Sequence, residues 1–166
     1  MLSRVTSRSV VKNFLRQSKR GVSLLVDNTG LDDESVMIQE MAYKYAQEEL
    51  EPKAAEWDKT KHFPIDVYKK AADLGFGGIY VSEEAGGSGL NRMQASLIFE
   101  ALSTGCAGSS AFISIHNMVA WMIDKYGSDD IKSKHLTDLV EMNRLGSYCL
   151  TEADSGSDAQ AMKSFA

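Results

Sequence analysis

The residues with the most chemistry sit together near the end of the sequence, in Tyr148-Cys149-Leu150-Thr151-Glu152-Ala153-Asp154-Ser155-Gly156-Ser157-Asp158. Tyr148, Thr151, Ser155 and Ser157 supply hydroxyls, and Glu152, Asp154 and Asp158 supply carboxylates. Gly146 to Thr151 is a short aromatic and β-branched run between an acid-rich helical stretch and a turn cluster. That pattern predicts a strand feeding a loop. A strand end opening into Asp-Ser-Gly-Ser-Asp gathers hydroxyls and backbone N–H donors at one place, which suits the edge of a heterocycle or a phosphate. Turn chemistry alone explains the same residues as an ordinary strand end with a polar turn, so composition leaves both readings open.

Other groupings carry less. Gly75-Phe76-Gly77-Gly78 lacks the third glycine of a dinucleotide fingerprint and follows a helical stretch, not a strand. Gly86-Gly87-Ser88-Gly89 lacks the lysine of a phosphate-binding P-loop. His62, His116 and His135 have neither metal-ligand spacing nor cysteine partners. His116, on an apolar stretch, reads as a hydrogen-bonded core histidine before it reads as a base. Glu152 has the right type for a general base, but its place in a turn favours a structural role.

The elements that must position the terminal stretch are helical. Asp32, Asp33 and Glu34 mark a helix start, and the apolar spacing from Val36 to Ala46 predicts a helix over 33–50. Pro52 opens a further turn through Trp57, and a helix follows from Ile65 to Leu74, stopped by Gly75. Gly75, Gly77 and Gly78 make a corner before Ile79-Tyr80-Val81, and Glu84 to Leu90 reads as a loop. Asn91 caps a helix over 92–104. The next, over 109–125, is apolar nearly all round and is expected to be buried. Ser128-Asp129-Asp130 start a last helix to about 141. The expected fold is therefore mainly α: about six helices, then one strand. A lone strand has unpaired edges, which predicts that the chain stops early in a second, β-rich domain.

The sequence has 166 residues, 43% of them hydrophobic and 25% charged, enough for one domain with a core. No apolar run is long enough to span a bilayer. The net charge of -5 is uneven. Residues 1–26 hold six basic residues and no acid, leaving twelve basic against twenty-three acidic residues, a net of -11. So acidic a body argues against nucleic acid, whose binding needs phosphate neutralisation. Arg4, Arg8, Lys12 and Arg16 recur every fourth position, with Val10, Val11, Phe14 and Leu15 forming an apolar patch. This predicts a mitochondrial transit peptide within residues 1–30, removed between Arg20 and Gly30; a basic tail and a membrane-surface helix are the alternatives. In a reducing matrix, Cys106 and Cys149 are expected to be unbridged, small buried residues.

Tyr148-Cys149-Leu150-Thr151-Glu152 followed by Ser155-Gly156-Ser157-Asp158 resembles the flavin-binding signature of acyl-CoA dehydrogenases. That signature has proline where this chain has Ala153 and glycine where it has Asp154. Asp154 puts a negative charge near a phosphate-bearing cofactor, and needs φ > 0 if the glycine conformation is kept. The likeness extends through Ala54-Ala55-Glu56-Trp57-Asp58, Phe63-Pro64, Leu74-Gly75-Phe76-Gly77-Gly78, Gly86 to Leu90, Phe99 to Cys106 and Ile113 to Met118. It covers roughly residues 31–166, and is closest to members that act on short branched acyl-CoA in valine breakdown.

The resemblance implies an amino-terminal helical domain over 31–143 and the opening of a middle β-domain over 144–166. It implies FAD-dependent α,β-dehydrogenation of an acyl-CoA, with electrons passed to electron transfer flavoprotein, in a homotetramer of the mitochondrial matrix. Tyr148, Cys149, Leu150, Thr151, Glu152, Ala153, Asp154, Ser155, Gly156 and Ser157 would line the FAD, with Ser157 also on the substrate. Ser110 and Ser114 would lie near the acyl tail, although core packing explains both as well. The family's catalytic glutamate usually belongs to a carboxy-terminal domain, so no base is assigned here. The alternative is an inactive helical module that at most binds a partner.

Overall fold

Most helices begin where a polar atom can accept an otherwise unpaired N–H. Asp32 accepts from Ser35 N at 2.8 Å, and Asn91 and Gln94 exchange two 3.0 Å bonds in a capping box. Ser128 Oγ and Cys106 Sγ each accept from the N–H three residues on. In the computed structural model, which describes residues 30–165, these caps open four of six α-helices. The helices are α1 (Asp33–Tyr45), α2 (Glu51–Thr60), α3 (Ile65–Asp73), α4 (Arg92–Gly105), α5 (Ala107–Tyr126) and α6 (Asp129–Val140). The expected leader lies outside the described residues.

A π-helical turn, Ala46–Leu50, joins α1 to α2 without a break. Glu51 N–H bonds back to Ala46 O, a five-residue step. Pro52 has no N–H, and its ring crowds the carbonyl four residues earlier; widening the preceding turn relieves both problems. α1 packs along α4, and α4 also meets the π turn and α5. Gly105 matters here, because a Cβ on it would stand 2.5 Å from Ala46 O. Ala42, Ala46, Leu50, Ile98, Leu102 and Ile113 share one core with Phe76 and Ile79.

Phe76 and Ile79 belong to an irregular corner that leaves the Phe76 carbonyl and the Ile79 N–H without backbone partners among the described residues, so α5 supplies them. Asn117 is fully buried. Its amide donates to Phe76 O at 2.7 Å and Ile113 O at 2.9 Å, and its carbonyl accepts from Ile79 N at 2.6 Å. Seven residues on, Asp124 accepts from Ser82 N at 3.0 Å. Gly77 completes the corner, since a side chain there would collide with the Val140 carbonyl at the end of α6.

Helix α5 therefore differs from its expected all-round burial. Ile115 and Met122 are each 39% exposed, while His116, Asn117, Ser109 and Ser110 are buried. Its buried face is chosen by the backbone groups it must satisfy as well as by apolarity. Cys149 is also not buried: both cysteines are free, Cys106 half-buried and Cys149 exposed.

His116 is the core histidine that its apolar stretch predicts. It is fully buried, its Nε2 lies 2.9 Å from Leu139 O, and its Nδ1 accepts from Gly146 N at 2.9 Å. Burial holds its pKa below the ordinary 6.5, opposed by backbone hydrogen bonds to Leu139 and Gly77. With the folded pKa below the unfolded one, the unfolded chain binds the extra proton. Stability to urea should therefore be flat above pH 6.5 and fall as the pH drops below it, and His116→Gln should lose this part of the slope.

Candidate functional site

The sequence predicted a strand over Gly146 to Thr151, and the structure corrects this. Residues 145–151 are irregular, and β-pairing among the described residues is confined to an isolated bridge between Glu152 and Ser155. A strand is held by a neighbour's N–H and C=O groups, and no described residue offers that row. The stretch leaves the helical unit at Gly146, which is buried, and is exposed from Ser147 to Thr151. Tyr148 is 44% and Leu150 36% exposed.

Past Thr151 the chain turns tightly. Glu152 N donates to Ser155 O at 2.8 Å and Ser155 N to Glu152 O at 3.2 Å. Ser155 is buried, and its hydroxyl donates to Asp158 O at 2.7 Å. The Glu152 carboxylate accepts from Lys163 N at 2.8 Å and Ser164 N at 3.1 Å. These bonds hold its pKa below the ordinary carboxylate value, with Lys163 N the leading cause. A carboxylate so held is a loop clamp, and a poor proton acceptor. Glu152→Gln keeps one acceptor oxygen where two are used, so amide exchange at Lys163 and Ser164 should quicken while the α1–α5 core keeps its protection.

Asp154 does not take the left-handed conformation; among the described non-glycine residues only Lys61 and Met142 do. Its carboxylate pairs with Lys163 Nζ at 3.2 Å across an exposed surface, which partly offsets the charge it brings. Sequence reasoning missed this second limb of the loop, Lys163 and Ser164, because nothing in their types marks them as partners of Glu152.

The structure thus gathers the ten site residues into an exposed stretch and a clamped turn. Among the described residues, no hydrogen bond engages the backbone N–H groups of Tyr148 to Thr151, and Thr151 and Ser157 are exposed. An open run of N–H and hydroxyl donors matches what an electron-rich ring edge and phosphates accept, so the donor set fits a flavin nucleotide. Ser110 and Ser114 differ from each other. Ser110 is buried, donates to Phe99 O at 3.0 Å and lies 3.0 Å from the Ser103 hydroxyl, so it ties α5 to α4. Ser114 is half-buried. Among the described residues no cluster could hold a metal ion, and no helix is long and apolar enough to cross a membrane.

The helical unit defines the class. Residues 32–143 match the model of the acyl-CoA dehydrogenase N-terminal domain, and the chain belongs to that family. Among its relatives are two mitochondrial isobutyryl-CoA dehydrogenases. The one from Bos taurus is 46% identical over 87% of this chain and 35% of its own length. The one from Dictyostelium discoideum is 51% identical over 81% of this chain and 32% of its own. A solved glutaryl-CoA dehydrogenase from Mycobacterium smegmatis in complex with FADH2 superposes with a TM-score of 0.75 at 26% identity, over 80% of this chain and 34% of that one. The chain spans about a third of the length of the curated relatives it matches.

Proposed function

We propose that this chain is the amino-terminal part of an FAD-dependent acyl-CoA dehydrogenase acting on a short branched acyl-CoA, isobutyryl-CoA being the favoured substrate. The observation that carries the reading is the exposed donor run from Tyr148 to Thr151, with Ser157 beyond it, on a helical unit of this family. The substrate is favoured by the identity to the two isobutyryl-CoA dehydrogenases.

In this reading FAD, when bound, supplies the hydride acceptor for α,β-dehydrogenation. The Thr151 hydroxyl and the N–H groups of Leu150 and Thr151 orient the ring edge and favour negative charge there, as an oxyanion hole does. Ser157 donates to a flavin phosphate and to the acyl-CoA. Asp154 works against phosphate binding, moderated by Lys163. No proton acceptor is assigned to this chain, so the reaction is that of the complete enzyme. Residues 31–143 form the helical domain and 144–166 the opening of the next. Electron transfer flavoprotein as acceptor, a homotetramer and a matrix location follow the same reading; the basic leader and the relatives' mitochondrial names support the last.

The test is a chimera in which residues 31–166 replace the matching stretch of the bovine relative. Mixed anaerobically with acyl-CoA esters, it should bleach its flavin fastest with isobutyryl-CoA. Faster bleaching by straight-chain butyryl-CoA or by glutaryl-CoA would reject the branched-substrate reading.

A further inference from the structure

Asn117, Ser109 and Ser110 use their hydrogen bonds inside the helical unit, but His116 does not stop there. Its ring bridges the end of α6, through Leu139 O, to Gly146 N, where the donor-rich stretch begins. The partners fix the tautomer. A carbonyl only accepts, so Nε2 carries the proton; an N–H only donates, so Nδ1 is bare. Gly146 is pressed flat on α5, since a Cβ there would lie 3.0 Å from two Val119 side-chain carbons. From Ser147 to Thr151 no hydrogen bond among the described residues holds the backbone. The direction in which the stretch departs is therefore set at Gly146.

We propose that His116 is a positioning residue for the flavin stretch: its neutral imidazole latches Gly146 to the helical unit, and protonation of Nδ1 releases it. The inference rests on the flavin reading of residues 148–157. Once Nδ1 carries a proton, two donors face each other, so the bond to Gly146 is replaced by repulsion. Both effects act at the root of the stretch and leave α1 to α4 untouched. Among the titratable groups on the packed elements are Asp124 on α5, His135 and Asp138 on α6, Glu141 and Arg144 after it, and Tyr68 on α3. No neighbouring charge contributes to the preference for the neutral ring, which burial sets. Arg144 is occupied at the surface by Asp138 at 3.0 Å and His135 at 2.8 Å.

The experiment follows the imidazole nitrogens and backbone amides of the 15N-labelled 166-residue chain by NMR from pH 8 to pH 5. At pH 8 the ring should show a bare Nδ1 and a protonated Nε2. As pH falls, the amides of Gly146 to Thr151 should shift with the midpoint of the ring, while those of α4 stay still. In His116→Gln these shifts should vanish, and the Gly146 amide should exchange at least about fivefold faster at pH 8 from the lost bond. The opposite tautomer, amides that ignore the ring, or amides that titrate equally in His116→Gln would overturn the latch. So would a transition shared by α4, which means global unfolding. FAD binding at pH 8 by the bovine chimera carrying residues 31–166 separates the two claims. Titrating amides with no flavin bound at any pH would sink the flavin reading and uphold the latch. Flavin bound with equal affinity above and below the midpoint of the ring, and equally by His116→Gln, would sink the latch alone.

Discussion

Asn117→Ala is expected to cost about 3–5 kcal/mol of folding stability, a large share of the roughly 5–15 kcal/mol of an ordinary domain. The substitution strips partners from a buried N–H at Ile79 and a buried carbonyl at Phe76. Each orphaned group costs about 1–3 kcal/mol, and water cannot reach either without opening the corner. Ile113 O loses only a second partner, since it already accepts within α5, and adds little. Asn117→Asp should be no milder. It keeps the acceptor for Ile79 N, but sets a carboxylate oxygen against Phe76 O and buries a charge. Urea unfolding followed by circular dichroism measures both. Surface changes on the same helix, such as Met122→Gln, should fall within about 0.5 kcal/mol.

Ser157→Ala should have the largest effect on function with none on folding. Ser157 is exposed and has no partner among the described residues. In the bovine chimera its hydroxyl would meet phosphate, and a hydrogen bond to a charged group contributes about 1.5–3 kcal/mol. Flavin affinity should fall about 10- to 100-fold, and the KM for acyl-CoA should rise, with Tm unchanged. Ser155→Ala should do the reverse. Its hydroxyl holds Asp158 O inside the turn, so Tm should drop first and flavin affinity only as a consequence. Equal behaviour of the two serines would mean that the turn matters and its hydroxyl chemistry does not.

Much of this was legible in the residues. The caps at Asp32, Asn91 and Ser128 marked three helix starts, and Gly75 marked an end, because those positions depend on local hydrogen bonding and backbone freedom. The mainly helical fold and the family followed from the same stretches. What was not legible depended on distant partners. The apolar run in α5 predicted all-round burial, yet the helix gives buried positions to His116 and Asn117 because an irregular corner and Gly146 need their bonds. The π turn answers a packing demand between Ala46 and Gly105 as well as Pro52. The expected strand at Gly146 to Thr151 has the right residue types, but pairing is a property of two segments, and no described residue pairs with it.

The central claim is that these residues build one side of a flavin cradle on a helical domain that sets its direction. The most direct measurement is the visible spectrum and flavin content of the purified bovine chimera carrying residues 31–166. The account predicts a yellow protein with one FAD per chain. A chimera that folds to the same Tm as its parent and is colourless would contradict it.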